Sequence, residues 1–148
     1  MNLDEINMGI IRALRDGRRS YREVADELGV TENTVRARVT RMREEGILDI
    51  RGLVDPEKLP GHQTVIMGIR LQGMNLVAKG EEFSRLKGVI SVRVVTGRFD
   101  LILEVMVKRD EGLLEFFTEQ LDGVKGVMSA ETFVVYKGYN VRMPYVLD

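Results

Sequence analysis

Residues 21 to 40 constrain the fold of this 148-residue chain more than any other stretch. Two short apolar-periodic segments meet there at Gly29, with the small residue Ala25 four positions before the glycine and Val35 six positions after it. A helix-turn-helix needs a small residue where its helices cross and a turn residue that tolerates left-handed backbone geometry. The pattern therefore predicts two short helices that pack across each other at a tight turn.

Capping signals place the ends of these helices and of one before them. Asn2 to Glu5 and Ser20 to Glu23 both have the spacing of a capping box, and Thr31 is a third N-cap candidate. Glycines at positions 17, 29 and 46 follow the three apolar stripes and favour helix termination. We predict three helices, the first running from Asn2 to near Gly17.

The exposed face of the third predicted helix is rich in arginine. Arginine pairs bidentately with guanine edges and with phosphates, and a helix N-terminus is itself a phosphate site. Taken alone, a charged helix is usually only a solvated face. Here it follows a capped helix and a glycine turn, which favours double-stranded DNA as the partner. The predicted DNA contacts are Ser20, Thr31, Asn33, Thr34, Arg36, Arg38, Thr40 and Arg41.

The second half of the chain changes to the period of a β-sheet. Residues 47 to 54 are predicted to form an extended wing or linker strand, and turn-formers follow up to Gly61. From Thr64 apolar residues alternate, and two helical patterns then lie between further β-branched runs in the order βαββαβ. The internal echo between residues 86–91 and 124–129 supports two similar halves.

These patterns predict an α+β protein with two domains. The N-terminal one is a winged helix-turn-helix domain (1–54), and a linker (55–63) leads to a ferredoxin-like sandwich (64–148). Both helices of such a sandwich cover one sheet face, so we expect a second copy of the chain to cover the other. The second domain is therefore predicted to form a homodimer.

Composition excludes several classes of site. The chain has no cysteine and one histidine, His62, so thiolate and multi-histidine metal sites are ruled out, and we expect no cofactor and no metal. His62 itself is predicted to lie at the surface. No apolar run is long enough to span a membrane, and Asp4 and Glu5 stand where a signal peptide would be basic. We expect a cytoplasmic protein.

Three motifs resemble the Lrp/AsnC (feast/famine) family of transcriptional regulators. They are Asn7-x-x-Ile10-x-x-Ala13-Leu14 with Asp16-Gly17-Arg18, Arg38-Val39-x-Arg41-Met42 with Gly46-Ile47, and Val95-Thr96-Gly97-Arg98-Phe99-Asp100-Leu101. The likeness covers nearly the whole chain. It implies a C-terminal ferredoxin-like effector domain, dimers formed through the C-terminal sheets and, often, four dimers in a ring, which is an octamer.

The resemblance also implies an effector site between dimers for an amino acid or a related metabolite. Its residues are Gly97, Arg98, Phe99, Asp100 and Thr132. In this site Asp100 is predicted to pair the ammonium group, backbone N–H groups to receive the carboxylate, and Thr132 to add a hydroxyl contact. Many relatives have an acidic or polar residue where this chain has Arg98, which allows an acidic or larger ligand.

Other interpretations of the same features stay open. Without the resemblance, residues 97 to 100 are an ordinary hairpin turn. Siroheme decarboxylases look like this family over both domains, but they are expected to use histidine, and this chain has none after His62. A DNA-architectural protein with no effector is the third alternative. We expect no enzymatic activity, because no nucleophile–base pair or paired carboxylates stand out.

Overall fold

The computed structural model describes residues 3–73 and 75–147 of the chain. The chain divides into two compact units, residues 1–51 and 52–148. Each unit has its own hydrophobic core. No helix in the described part of the chain is long and apolar enough to cross a membrane.

Three helices form the N-terminal unit: α1 (Glu5–Ala13), α2 (Tyr21–Leu28) and α3 (Glu32–Glu44). The Asp4 carboxylate caps α1 by accepting a hydrogen bond from the backbone N–H of Asn7 at 2.8 Å. The predicted cap, Asn2, lies outside the described residues. The helix ends at Ala13, earlier than the predicted end near Gly17, because the Arg15 N–H bonds to the carbonyl of Arg12, three residues back, in a tighter closing turn.

The turn between α2 and α3 has the predicted geometry. Gly29 is left-handed with φ of 66°, a conformation that side chains disfavour. Ser20 completes a capping box with Glu23 at the start of α2, and Thr31 caps α3. The core between the helices is closed by fully or nearly fully buried side chains: Ile10, Ala13, Leu14, Val24, Ala25, Val35, Val39 and Met42. These residues confirm the helix-turn-helix prediction.

The predicted wing strand is wrong in detail. Residues 48–53 belong to no strand, and Val54 makes a single antiparallel bridge with Met143. A short 3₁₀ turn, Pro56–Lys58, follows, with Asp55 as its cap. The turn-forming residues that the sequence offers here break the extended run before it becomes a hairpin.

The C-terminal unit is a four-stranded antiparallel sheet with helices inserted between its strands. Its elements are β1 (His62–Leu71), α4 (Leu76–Ser84), β2 (Val89–Val94), β3 (Leu101–Lys108), α5 (Gly112–Glu115) continuing as a π-helical segment (Phe116–Leu121), and β4 (Val127–Val134). The strand order is β2-β3-β1-β4. This topology confirms the ferredoxin-like prediction.

The two faces of the sheet differ sharply. Val65, Met67 and Ile69 of β1 are completely buried and form one core with Phe83 of α4 and Phe116 of the second helical segment. The residues between them point to the other face. There the cross-strand partners Ile66 and Phe133 are 39% and 46% exposed. Among the described residues of the unit, no helix covers this second face, as the alternation predicts.

The last thirteen described residues run back along the segment that precedes β1. Lys137 Nζ donates to Glu57 at 2.6 Å, and the backbone N–H of Gly138 donates to the same carboxylate. Further on, Val54 and Met143 exchange two backbone hydrogen bonds of 2.9 and 3.1 Å. The tail and the entry segment therefore fold as one piece of the C-terminal unit.

Candidate DNA-binding and effector sites

The face of α3 that points away from the core is exposed along its whole length. Val35, Val39 and Met42 are buried, so the opposite line of the helix falls on Asn33, Ala37 and Thr40. All three of these side chains are exposed. The α3 face, as we call the surface of Asn33, Arg36, Ala37, Thr40, Arg41 and Arg43, is the surface that a helix-turn-helix presents to a major groove.

The predicted hydroxyl contacts lie at the starts of α2 and α3, where they already act as caps. Ser20 Oγ accepts from the Glu23 N–H at 3.2 Å, and the Ser20 N–H, donating to Glu23 at 2.7 Å, holds the pKa of that carboxyl below its ordinary value. Thr31 Oγ1 accepts from the Thr34 N–H at 3.2 Å, and the two threonine hydroxyls are 2.9 Å apart. Exposed first-turn N–H groups and hydroxyls of this kind form a phosphate site.

Arginines form the two edges of the α3 face. Arg36 pairs with Glu32 at 2.7 Å, and its guanidinium lies 5.3 Å from the ring centroid of Tyr21 on α2. Arg41 pairs with Glu45 at 2.9 Å. Arg43 is exposed and has no ion pair among the described residues. These surface pairs contribute little to stability and exchange readily for phosphate contacts.

Arg38 is placed differently from the prediction. Its guanidinium forms an ion pair with Asp4 and donates to Asn7 Oδ1 at 3.2 Å, so it is directed at α1. Arg38 holds the pKa of Asp4 below its ordinary value through this hydrogen bond. The position follows Val35 by three residues, which puts it at the edge of the buried stripe. Arg38 therefore joins α3 to α1 instead of lining the α3 face, and its predicted contact with DNA stays a prediction.

Sequence reasoning missed Ala37. A single alanine between charged residues has no chemical signal of its own, and only the helical period places it. Counting from the buried residues Val35 and Val39 would have put Ala37 at the centre of the exposed face.

The predicted effector loop folds over the uncovered face of the sheet. The Phe99 ring lies against Gly68, where an added Cβ would be 2.6 Å from three ring atoms. Phe99 also contacts Phe133 edge to face, with ring centroids 6.4 Å apart. Arg98 pairs with Glu131 at 2.8 Å. Gly68 and Glu131 were not predicted, and neither has a sequence signal beyond its place in the alternation.

Asp100 and Thr132 have surroundings that bear on their predicted roles. One carboxylate oxygen of Asp100 accepts from the Leu71 N–H at 2.8 Å, so it holds the loop against β1. Thr132 lies between Glu131 and Phe133 on β4, and its side chain therefore points to the helix-covered face. Its hydroxyl oxygen is buried and has no hydrogen-bond partner among the described residues. The structure thus brings Gly97 to Asp100 together but places Thr132 on the other side of the sheet from the Phe99 ring.

Histidine, aspartate and glutamate are the metal-binding residue types that this chain has outside the two predicted sites. No group of three or more histidine, aspartate or glutamate side chains in the described part of the chain is arranged to hold a metal ion. His62 begins β1 and is half-buried rather than fully exposed: its Nδ1 lies 2.8 Å from the carbonyl of Pro60, and its ring contacts Tyr145 with centroids 5.6 Å apart.

Two family profiles match the sequence. The AsnC-type helix-turn-helix domain matches residues 3–43, and the Lrp/AsnC ligand binding domain matches residues 64–145. The matches coincide with the helical unit and with the sheet unit described above. Together they cover well over half of the chain.

Individual proteins agree with the profiles. An uncharacterised HTH-type transcriptional regulator of Pyrococcus furiosus is 33% identical over 135 residues, which are 90% of this chain and 91% of that protein. The structure of Escherichia coli AsnC matches with a TM-score of 0.71 and 25% identity, over 93% of this chain and 95% of that one. A feast or famine regulatory protein from M. tuberculosis, complexed with L-methionine, matches in fold with a TM-score of 0.72 and 20% identity, over 95% and 96% of the two chains.

Proposed function

The chain belongs to the Lrp/AsnC family of transcriptional regulators, and from that premise we propose that α3 binds operator DNA while the sheet unit binds an amino acid. The observation that carries the DNA half is the α3 face itself: an exposed helix with arginines on its flanks and a capped, phosphate-binding start. We also propose that the protein acts in the cytoplasm. No catalytic role is proposed, because the family is one of regulators.

The DNA proposal is tested with the full chain and a library of random duplexes. Selection should enrich an imperfect palindrome, because two copies of α3 would enter major grooves about 34–36 Å apart. Arg36→Ala should weaken binding of the enriched duplex by about 1–3 kcal/mol. Arg43→Ala should weaken binding to all sequences and lower the salt slope by about 1.

Arg85→Ala is the matched control for these two variants. It removes one positive charge from an exposed site at the end of α4, in the other unit. Its operator affinity and salt slope should stay those of the parent chain. Equal effects from all three substitutions would show that net charge alone drives the binding and would contradict the assignment to α3.

The effector half of the proposal is supported by the loop at residues 97–100 and by the L-methionine complex of the M. tuberculosis protein. We assign Gly97, Arg98, Phe99 and Asp100 to the site. The contact from Thr132 stays a prediction, because its hydroxyl lies on the helix-covered side of β4. A zwitterion would meet an acid, a base and backbone N–H groups at this loop. The site is assigned to the boundary between dimers, and the proposed assembly is a homodimer that forms an octamer.

Asp100→Asn is the substitution that tests the loop. The asparagine oxygen still accepts from the Leu71 N–H, so the loop keeps its anchor while the negative charge is lost. A thermal-shift screen against the twenty amino acids should find at least one that stabilises the parent chain, by RT ln(1 + [L]/Kd). Asp100→Asn should lose this stabilisation, whereas the exposed control Asp122→Asn should retain it. Full stabilisation of Asp100→Asn would reject Asp100 as the ammonium partner.

A further inference from the structure

The centre of the α3 face is uncharged over the first turns of the helix. Asn33, Ala37 and Thr40 follow one another at spacings of four and three, so they lie along one line. Glu44 continues the line only in the last turn. Because a recognition helix contacts bases mainly through its N-terminal residues, the first three side chains are the ones that meet base edges.

Ion pairs within the unit hold the flanking arginines away from this line. Arg36 is drawn back along the helix by Glu32 and lies over the Tyr21 ring of α2. Arg41 is drawn forward to Glu45 on the other flank. The cations therefore form a rim that suits phosphates, while the line between them offers one amide, one methyl and one hydroxyl.

Ala37 lines two neighbouring shallow depressions. One depression is bounded by Arg36, Thr40 and Glu44, and the other by Asn7, Thr34 and Arg38, with Asn33 and Arg41 common to both. In the major groove the apolar group of matching size is the 5-methyl of thymine, and alanine is one of the residues that contact it. Asn33, one turn earlier, has the amide that pairs bidentately with adenine N6 and N7.

We infer that α3 reads A·T pairs at the centre of each half-site, with the Ala37 methyl against a thymine 5-methyl and the Asn33 amide on an adenine. The inference rests on the proposed function, since it requires that α3 enters the major groove. It assigns selection of the central A·T pairs to the uncharged line, while the flanking arginines, Arg36 included, contribute most of the affinity for the enriched duplex. Ala37 is thus a specificity-determining residue.

The test begins with the full chain and the duplex enriched from a random library. Each thymine is replaced in turn by uracil, which removes the 5-methyl and nothing else. At one position per half-site, uracil should weaken binding by the parent chain about fourfold, the effect of exposing one methyl-sized group. The Ala37→Gly variant should bind the thymine and uracil duplexes equally. Comparing two duplexes on one variant cancels any loss of helix stability caused by glycine.

A second substitution pair keeps the test independent of the glycine variant. Adenine at the neighbouring position is replaced by 7-deazaadenine, which lacks the N7 acceptor. The parent chain should lose about fivefold or more in affinity, and Asn33→Ala should be indifferent to the change.

The outcomes distinguish failure of the base assignments from failure of DNA binding itself. The assignment of Ala37 is overturned if uracil leaves the affinity unchanged at every position, or if Ala37→Gly still binds the uracil duplex more weakly than the thymine duplex. DNA binding itself would stand in either case. Enrichment of half-sites whose centres are G·C overturns the A·T reading as a whole. If no duplex is enriched at any salt concentration, the proposed function fails, and this inference fails with it.

Discussion

At the scale of single residues, identical side chains on one helix have different roles. Arg36 and Arg38 are two positions apart on α3, yet one lies on the exposed face and the other reaches Asp4 and Asn7 of α1. Asn7 is 1% exposed, so its side-chain hydrogen bonds form in a dry environment where each has greater weight. Arg38 is therefore a structural residue of the N-terminal unit.

We predict that Arg38→Ala lowers the free energy of unfolding of the N-terminal unit by about 1 kcal/mol, the net contribution of a hydrogen bond to a buried polar group. Urea denaturation followed by far-UV circular dichroism measures the change. Arg36→Ala is the matched variant and should leave the midpoint nearly unchanged, because its ion pair is exposed. Operator affinity should show the opposite pattern: it should fall in Arg36→Ala and stay nearly unchanged in Arg38→Ala. A stable Arg38→Ala that binds DNA as weakly as Arg36→Ala would restore Arg38 to the DNA-binding surface.

Most of the predicted DNA-binding residues of α3 lie on its exposed face, but one of them is directed elsewhere. Asn33, Arg36, Thr40 and Arg41 lie on the α3 face as expected. Arg38 does not lie on this face. Its partner Asp4 is thirty-four residues away, and local sequence patterns cannot predict an ion pair between residues so far apart. The same limit applies to the Phe99 ring and Gly68, which meet only when the loop folds back onto β1.

At the scale of elements, periodicity predicted the three helices of the N-terminal unit and the βαββαβ order of the sandwich, but it also predicted a wing strand over residues 47–54 that the described residues do not form. β2 stops at Val94, two residues before the β-branched run from Val89 ends at Thr96, and the last helix is α-helical only to Glu115 before it widens into a π-helical segment. The apolar pattern predicts a helix over these residues but not the type of its hydrogen bonds, so the change to a π-helical segment at Phe116 was not predicted. The tail after β4 has no period at all, and its attachment depends on the charges of Glu57 and Lys137.

The contact between Glu57 and the tail should depend on pH. The hydrogen bond from Lys137, and after it the one from the Gly138 N–H, holds the pKa of Glu57 below its ordinary 4.5. Glu57 in turn raises the pKa of Lys137. A carboxyl whose pKa is lowered by folding stabilises the folded state above its ordinary pKa, and this contribution is lost as pH falls through the lowered value. The amide proton shift of Gly138, followed by NMR, should therefore titrate with a midpoint below 4.5.

Glu57→Gln is the control for this titration. Its amide oxygen still accepts from the Gly138 N–H but carries no charge. The Gly138 signal of this variant should show no acidic transition. A midpoint at or above 4.5 in the parent chain would mean that Lys137 does not act on Glu57 in solution.

At the scale of the whole molecule, the uncovered sheet face argues for a second copy of the chain. Ile66 and Phe133 lie opposite each other on neighbouring strands and stay exposed, and Ile102 lies one strand further on the same face. Side chains of this kind in register form the apolar centre that a homodimer interface needs. The order of strands was predictable from the chain, but the partner for this face follows only from its exposure.

Ile66→Glu should shift the full chain toward monomer in sedimentation velocity, because a charge would be buried without a partner in the proposed interface. Val77→Glu is the matched control. It places the same charge on the outer surface of α4, where Val77 is 70% exposed. The control should sediment as the parent chain does. Equal sedimentation of both variants at the parent's mass would exclude this face from the interface.

The last prediction concerns coupling between the two units of the regulator. If an amino acid bound at the loop of residues 97–100 changes operator affinity by some factor, the operator must change the affinity for that amino acid by the same factor. We expect a factor of about 5–150, the usual range of such couplings. Fluorescence titration gives the operator Kd with and without saturating amino acid. Calorimetry gives the amino-acid Kd with and without saturating operator duplex. A duplex with scrambled half-sites is the control and should leave the amino-acid Kd unchanged. An amino acid that binds tightly but leaves operator affinity unchanged would show that ligand binding to the sheet unit is not coupled to DNA binding by α3.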